Sequence, residues 1–245
     1  MAFKWGGGIE FNNKKYPVFP TSKLNELEFD EIFIGLFHHY IDEVIKFLQP
    51  YKEKINLNYT YINEYARINF LREIAMFQGK LEGACAELGV FQGNTAKFIN
   101  EFFDTTLYLL DTFEGFSQKD MEKEAQFSKS KAGDFGNTSL DLVKSKMPYL
   151  QKCRFIKGYF PESATEELKN EKFCFVNIDV DLYQPILEGC EFFYPRLVKG
   201  GVMLIHDYLH PFYTGTKKAV DEFALKYDLK FYPIGDATSV FFTKE

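Results

Sequence analysis

The stretch from Phe173 to Tyr208 constrains the fold of this chain more than any other. Residues 173 to 178 read Phe-Cys-Phe-Val-Asn-Ile, a mostly apolar run rich in aromatic and β-branched side chains. Such a run suits a strand covered on both faces. It gives way to Asp179 and Asp181, which share one side if the chain stays extended. From Gln184 to Leu197, the residues Ile186, Leu187, Cys190, Phe193, Tyr194 and Leu197 recur at helical spacing, and Gly200-Gly201 is expected to stop that helix. Val202 to Ile205 is a second buried strand, followed by His206-Asp207. A strand–helix–strand crossover is right-handed and makes its strands parallel near neighbours, with ends roughly 5 Å apart when adjacent. Three carboxylates and an imidazole are then expected to crowd the carboxyl edge of an open sheet, where such folds bind ligands.

The rest of the chain can be placed around this unit. Met1 to Ser22, with Gly6-Gly7-Gly8 and two prolines, has no sustained period and reads as an irregular arm. Leu24 to Leu48 carries a wide apolar stripe at helical spacing that ends before Pro50, with His38-His39 inside it read as solvated or core-edge side chains. A second helix is expected over Tyr59 to Phe77. Ala84 to Leu88 is a short strand closed by Glu87, and Gly89 and Gly93 let the following turn approach a ligand on its way into a helix. Leu107 to Leu110 is the next strand and ends at Asp111. The polar excursion from Asp111 to Ser139 is long for a compact domain, which favours a lid over the site. Beyond it come a helix (Leu140 to Met147), a strand (Arg154 to Ile156), a helix (Gly215 to Tyr227) and a terminal hairpin (Leu229 to Pro233, Ser239 to Phe242). Strands alternating with helices predict an α/β doubly wound, mainly parallel sheet with an antiparallel C-terminal edge and a helical N-terminal extension. The expected division is an arm and helical cap over 1–58 and a catalytic domain over 59–245.

Composition narrows the function. A net charge of −6 leaves no phosphate-neutralising excess, against a general nucleic-acid binder. No apolar run approaches bilayer length, and residues 1–10 lack a signal-peptide core, so no membrane partner is expected. Cys85, Cys153, Cys174 and Cys190 show no metal-type pairing and read as reduced core thiols, in keeping with a cytoplasmic protein. Homo-oligomerisation stays open.

Glu87, Gly89, Gly93 and Asp111 together fit an adenosine cofactor, because an acid about 20 residues after the first glycine is where a ribose diol is gripped. A nicotinamide site wants Gly-x-Gly-x-x-Gly so that amides and helix dipole meet a pyrophosphate. Here the middle glycine is absent and an acid precedes the turn, which suits the ammonium of a methionyl group. S-adenosylmethionine is therefore the expected cofactor.

Five motifs carry a resemblance: Ala86-Glu-Leu-Gly-Val-Phe-Gln-Gly, Leu110-Asp-Thr-Phe-Glu-Gly-Phe, Lys157-Gly-Tyr-Phe-Pro-Glu-Ser, Ile178-Asp-Val-Asp-Leu-Tyr and Gly200-Gly-Val-Met-Leu-Ile-His-Asp-Tyr. In this order they resemble the TylF/macrocin-type O-methyltransferases, from roughly Tyr59 to the C-terminus. The resemblance implies a class I methyltransferase fold that methylates a hydroxyl of a sugar or glycosylated small molecule, using S-adenosylmethionine and a divalent cation, commonly magnesium. It adds Thr112, Phe113 and Asp179 to the cofactor-binding set. It implies Asp179 and Asp207 as metal ligands and Asp181 as general base. The family usually has two adjacent acids before the tyrosine, and this chain has His206 in place of the first. An imidazole ligand would favour manganese or another transition metal over magnesium, and His206 is also the next candidate for the base. The alternatives are a methyltransferase for a non-sugar acceptor, such as a catechol-like diol or an amine, and a cofactor-binding family member without turnover.

Overall fold

The computed structural model describes residues 7–11, 14–18, 33–34, 60–78, 80–118, 130–211 and 213–245, together with residues 23, 26, 46, 121, 124 and 127. The chain divides into two units, Met1–Ile62 and Asn63–Glu245. In the first, β1 (Gly7–Phe11) and β2 (Lys14–Val18) pair antiparallel, with Ile9 opposite Tyr16. The arm expected to be irregular therefore contains a hairpin. Its signal was the alternation of Ile9 and Phe11 with Tyr16 and Val18 around Asn12-Asn13, a composition that suits a two-residue turn. Within the helix expected over Leu24 to Leu48, β3 (Phe33–Ile34) is extended and pairs in parallel with β4 (Thr60–Tyr61). Lys46 is helical, and most of that span, His38-His39 included, lies outside the described residues.

The second unit begins within α1 (Ile62–Gln78), which buries Leu71 and Ala75. Then follow β5 (Ala84–Leu88), α2 (Ala96–Phe102), β6 (Leu107–Asp111), α3 (Leu140–Lys146), β7 (Cys153–Lys157) and α4 (Glu166–Asn170). The chain continues with β8 (Phe173–Ile178), α5 (Tyr183–Phe193), β9 (Leu197–Ile205), α6 (Thr214–Tyr227), β10 (Tyr232–Pro233) and β11 (Val240–Thr243). These strands form one seven-stranded sheet in the order β10-β11-β9-β8-β5-β6-β7. The five from β5 to β9 run parallel, while β11 is antiparallel to both β9 and β10. The fold is thus a doubly wound, Rossmann-like sheet with an antiparallel edge, as the alternation of strands and helices requires.

Both faces of the sheet are covered, which is why β5 and β8 read as continuous apolar runs. One core joins Ala86, Leu88, Val176 and Ile178 to Ile186 and Phe193 of α5, and to Val220 and Phe223 of α6. The other joins Cys85, Phe175 and Leu204 to Leu71 of α1, Ile99 of α2 and Val143 of α3. All four cysteines are free and buried. No helix among the described residues is long and apolar enough to cross a membrane.

Two boundaries differ from the periodicity. The helix expected to reach Leu197 ends at Phe193 and tightens into a 3-10 turn over Tyr194–Arg196, which contains Pro195; Leu197 already belongs to β9. Gly200-Gly201 does not stop the helix but lies inside β9, where the register with β8 slips: Phe173 faces Leu197, whereas Phe175 faces Val202. A Cβ on Gly201 would sit 2.9 Å from the carbonyl oxygen of Val198 and 3.1 Å from that of Phe173, so the bulge itself selects glycine. Helix α4 carries too few residues for a periodic pattern; its signal was Thr165, whose hydroxyl accepts the Leu168 N–H at 3.2 Å.

Candidate active site

Strand order reverses between β5 and β8, and the two chains leave the sheet there together. The amide of Asp179 donates to the Leu88 carbonyl at 2.8 Å and that of Gly89 to Leu110 at 2.9 Å, so the ladder runs to the last residue of each strand. Gly89 has φ +87°, and a Cβ there would overlap the carbonyl of Asp179. No other residue type fits both conditions. Below the turn, Glu87 is 1% exposed and stands opposite Asn177, whose Nδ2 donates to Oε1 at 2.8 Å. Its other oxygen, Oε2, is buried without a partner. Burial first, then the negative charges of Asp179 and Asp111, push the Glu87 carboxyl well above the usual carboxylate range, against the Asn177 bond and the charge of Arg67.

Asp111, at the end of β6, clamps the same turn. Oδ2 accepts the amides of Val90 at 2.7 Å and Phe91 at 2.8 Å, and Oδ1 accepts that of Phe113 at 2.6 Å. Oδ1 keeps capacity for a further donor. Thr112 caps its own turn through Glu114 N–H, and Phe113 turns its ring into the core at 5% exposure. Gly93 has φ +75°, but the space of its missing Cβ faces Val143 of α3 rather than the turn's interior.

The acidic edge forms at the ends of β8 and β9, whose last residues, Ile178 and Ile205, pair directly. Asp181 and Asp207 hold left-handed backbones at φ 59° and 61°, a strain that clusters at functional sites. The ligand atoms of Asp179, His206 and Asp207 lie within 4.8 Å of one another. His206 Nδ1 is 3.0 Å from Asp179 Oδ1 and 2.9 Å from Asp207 Oδ2, yet it is buried and aligned for a hydrogen bond with neither. Burial pushes the Asp179 carboxyl up to about 7; Arg67 opposes that rise, and Asp207 and Asp236 add to it. Burial, followed by the negative charge of the neighbouring Asp207, holds the Asp181 carboxyl well above the usual range. The sheet thus brings Asp179, Asp181, His206 and Asp207 together, with Glu87 and Asp111 at the adjoining turn.

Several side chains at this edge carry no sequence signal. Arg67 reaches it from α1, Asp236 from the loop between β10 and β11, and Glu124 and Ser130 from the polar excursion. The buried carboxylate of Glu124 accepts the amides of Tyr183 at 3.0 Å and Gln184 at 3.2 Å, capping α5 just beyond Asp181. Tyr213 bonds to Ser130, and burial, followed by the charge of Asp181, pushes its phenol above the ordinary range. These residues lie far apart in sequence, and only the tertiary fold assembles them.

The sequence profile of the macrocin O-methyltransferase (TylF) family matches residues 52–244. The chain belongs to that family. It is an S-adenosylmethionine-dependent O-methyltransferase. The fold is shared with the O-methyltransferase NovP, at 20% identity and a TM-score of 0.58 over 73% of this chain and 79% of that one. It is shared too with the calicheamicin methyltransferase CalS11, at 14% identity and 0.62 over 83% and 85%. The apo form of CalS11, described as a TDP-rhamnose 3'-O-methyltransferase, gives 0.54 at 13% identity over 85% and 86%. No curated protein matches the sequence.

For a member of this methyltransferase family, the donor atoms fit the cofactor. The orphaned Glu87 Oε2 suits a cationic ammonium, and Asp111 Oδ1 can accept one more donor, such as a ribose hydroxyl. The convergence of two carboxylates on an unsatisfied imidazole nitrogen likewise fits a divalent cation.

Proposed function

We propose that this methyltransferase acts on a hydroxyl of a sugar or glycosylated small molecule, with a divalent cation assisting. The observation that carries the reading is the convergence of Asp179, His206 and Asp207 beside Asp181, with His206 Nδ1 buried and unsatisfied. One fold relative, the TDP-rhamnose 3'-O-methyltransferase CalS11, modifies a sugar, which supports the acceptor class. When bound, S-adenosylmethionine supplies an electrophilic methyl group, and a divalent cation supplies positive charge that offsets the acidic cluster and polarises the acceptor hydroxyl.

Glu87 would hold the methionyl ammonium and Asp111 Oδ1 a ribose hydroxyl, with Gly89, Gly93, Thr112, Phe113 and the Asp179 backbone shaping the pocket between them. Asp179, His206 and Asp207 would hold the cation through two oxygens and one nitrogen. Asp181 would accept the hydroxyl proton at its carboxylate as the acceptor oxygen attacks the methyl carbon. Asp181 and Asp207, both with left-handed backbones, stand at the strand ends, where the acceptor hydroxyl would have to be aligned before reaction. The excursion from Asp111 to Ser139 would close over the site as a lid, anchored by Glu124 on α5.

Purified protein, S-adenosylmethionine and a panel of sugar nucleotides, glycosides and catechols test this reading. Methyl transfer to a sugar hydroxyl is expected, abolished by exhaustive chelation and restored better by manganese than by magnesium. His206→Asp is expected to move the preference toward magnesium. Activity that survives chelation removes the cation from the reading; a magnesium preference untouched by His206→Asp removes His206 from the ligand set.

A further inference from the structure

Arg67 lies on α1, more than 100 residues before the acidic edge, with 14% of its side chain accessible. Its guanidinium is held at three points. Nε donates to Asp236 Oδ2 at 3.1 Å and Nη2 to Ser239 Oγ at 2.9 Å. Nη1 stands 3.6 Å from Asp179 Oδ2, an ion pair longer than a hydrogen bond.

The holder is itself rigid. The Asp236 side chain, 2% accessible, also accepts the amides of Thr238 at 3.0 Å and Ser239 at 2.7 Å and the Ser239 hydroxyl at 2.6 Å. That loop is registered on the site, because β11 pairs antiparallel with β9, Val240 facing Ile205, and Leu209 N–H donates to the Thr238 carbonyl at 3.0 Å. Asp179 is therefore flanked on two sides. Oδ1 faces His206 Nδ1, and Oδ2 faces a guanidinium whose own orientation is fixed by two other bonds.

We propose that Arg67 is a positioning residue that orients the Asp179 carboxylate for cation binding, and that Asp236 and Ser239 of the edge hairpin hold Arg67 for that task. The inference rests on the reading of Asp179, His206 and Asp207 as a cation site. A ligating carboxylate is sharpened by the groups that hold its other oxygen, and loss of such a partner costs about 10- to 100-fold in metal affinity. Arginine suits the position because its fork places three donors in one plane at fixed angles, whereas lysine offers a point charge. The arrangement also gives the antiparallel edge a task at the site: it delivers Asp236 and Ser239.

The test measures manganese binding alone, by electron paramagnetic resonance of free Mn²⁺, with the full chain and no acceptor. Wild type is expected to bind Mn²⁺. Arg67→Met is expected to weaken it about 10- to 100-fold. Arg67→Lys should recover only part of the loss, and Ser239→Ala, which removes one hydroxyl, should give a smaller loss in the same direction. Thermal melts run alongside. A lower melting temperature with unchanged Mn²⁺ affinity in Arg67→Met and Ser239→Ala would make the network purely structural and overturn the proposal. So would tighter Mn²⁺ binding in Arg67→Met with wild-type binding in Arg67→Lys, since that pattern is charge repulsion rather than orientation. If wild type and Asp179→Asn both fail to bind Mn²⁺, the cation-site reading falls, and this proposal with it.

Discussion

Asp111 illustrates how much a single carboxylate does at the end of a strand. It accepts three backbone amides from two different turns, so it shapes the glycine turn and, on the proposed reading, would also offer Oδ1 to a ribose. Each hydrogen bond to a charged group contributes about 1.5–3 kcal/mol. Asp111→Ala is therefore expected to weaken S-adenosylmethionine binding by roughly tenfold or more, measured by calorimetry; unchanged affinity would separate the clamp from the ligand. Asp181 makes the complementary case. Its carboxyl is buried beside the charge of Asp207, and its main-chain oxygen accepts the Thr216 hydroxyl at 3.0 Å. Asp181→Asn preserves the side chain's size and that backbone contact, so cofactor affinity should hold while turnover falls roughly 10²–10⁴-fold, the range for loss of a general base. Near-native turnover in that variant would move the base to another group, His206 first. Asp111 and Asp181 stood out in sequence because each ends an apolar run. The role of Arg67 did not, because an arginine on an amphipathic helix has the pattern of an ordinary solvated side chain.

Among the elements, α5 links the acidic edge to the excursion. Its first residues have no side-chain cap of their own, and the amides of Tyr183 and Gln184 are instead satisfied by Glu124 from outside. A carboxylate at a helix N-terminus gains from both the unpaired donors and the helix dipole, and an N-terminal cap contributes about 0.5–2 kcal/mol. Phe127 adds a ring contact with Tyr183 at 5.2 Å between centroids, and its carbonyl accepts the Thr214 hydroxyl at 3.0 Å. Glu124→Ala should therefore increase hydrogen exchange at the start of α5 and through residues 113–136, leaving β5 and β8 protected. Exchange unchanged in those segments would show that the excursion is held by other contacts. The length and polarity of this stretch marked it in sequence as a lid candidate, but its anchor is a long-range contact between residues about 60 positions apart. The end of α5 and the Gly200-Gly201 bulge were misplaced for a related reason. Helical spacing continues through Tyr194 and Leu197, and only pairing with β8 makes Leu197 a strand residue.

Taken as a whole, the second unit is a sheet buried on both faces, with its acidic cluster at the carboxyl ends of β8 and β9 and the Glu87–Asp111 turn beside it. A ligand that binds there and not to the unfolded chain stabilises it by mass action, about 2.7 kcal/mol at 100 times Kd. For a unit of this size that is a rise in Tm of roughly 5–11 °C, measurable by calorimetry with and without S-adenosylmethionine. No shift at saturating cofactor would contradict binding at this edge. What the sequence by itself determined was the order of the main strands and helices of this unit, α4 apart, the doubly wound parallel sheet, and the cluster of Asp179, Asp181, His206 and Asp207. Those features rest on local periodicity and on the fixed hand of strand–helix–strand crossovers, which act over a few tens of residues. The tertiary structure alone decided which groups stand behind that cluster: Arg67 from α1, Asp236 and Ser239 from the edge hairpin, Glu124 from the excursion. Their partners are 59 to 172 residues distant, no local pattern encodes such pairings, and only closing the sheet brings them into contact.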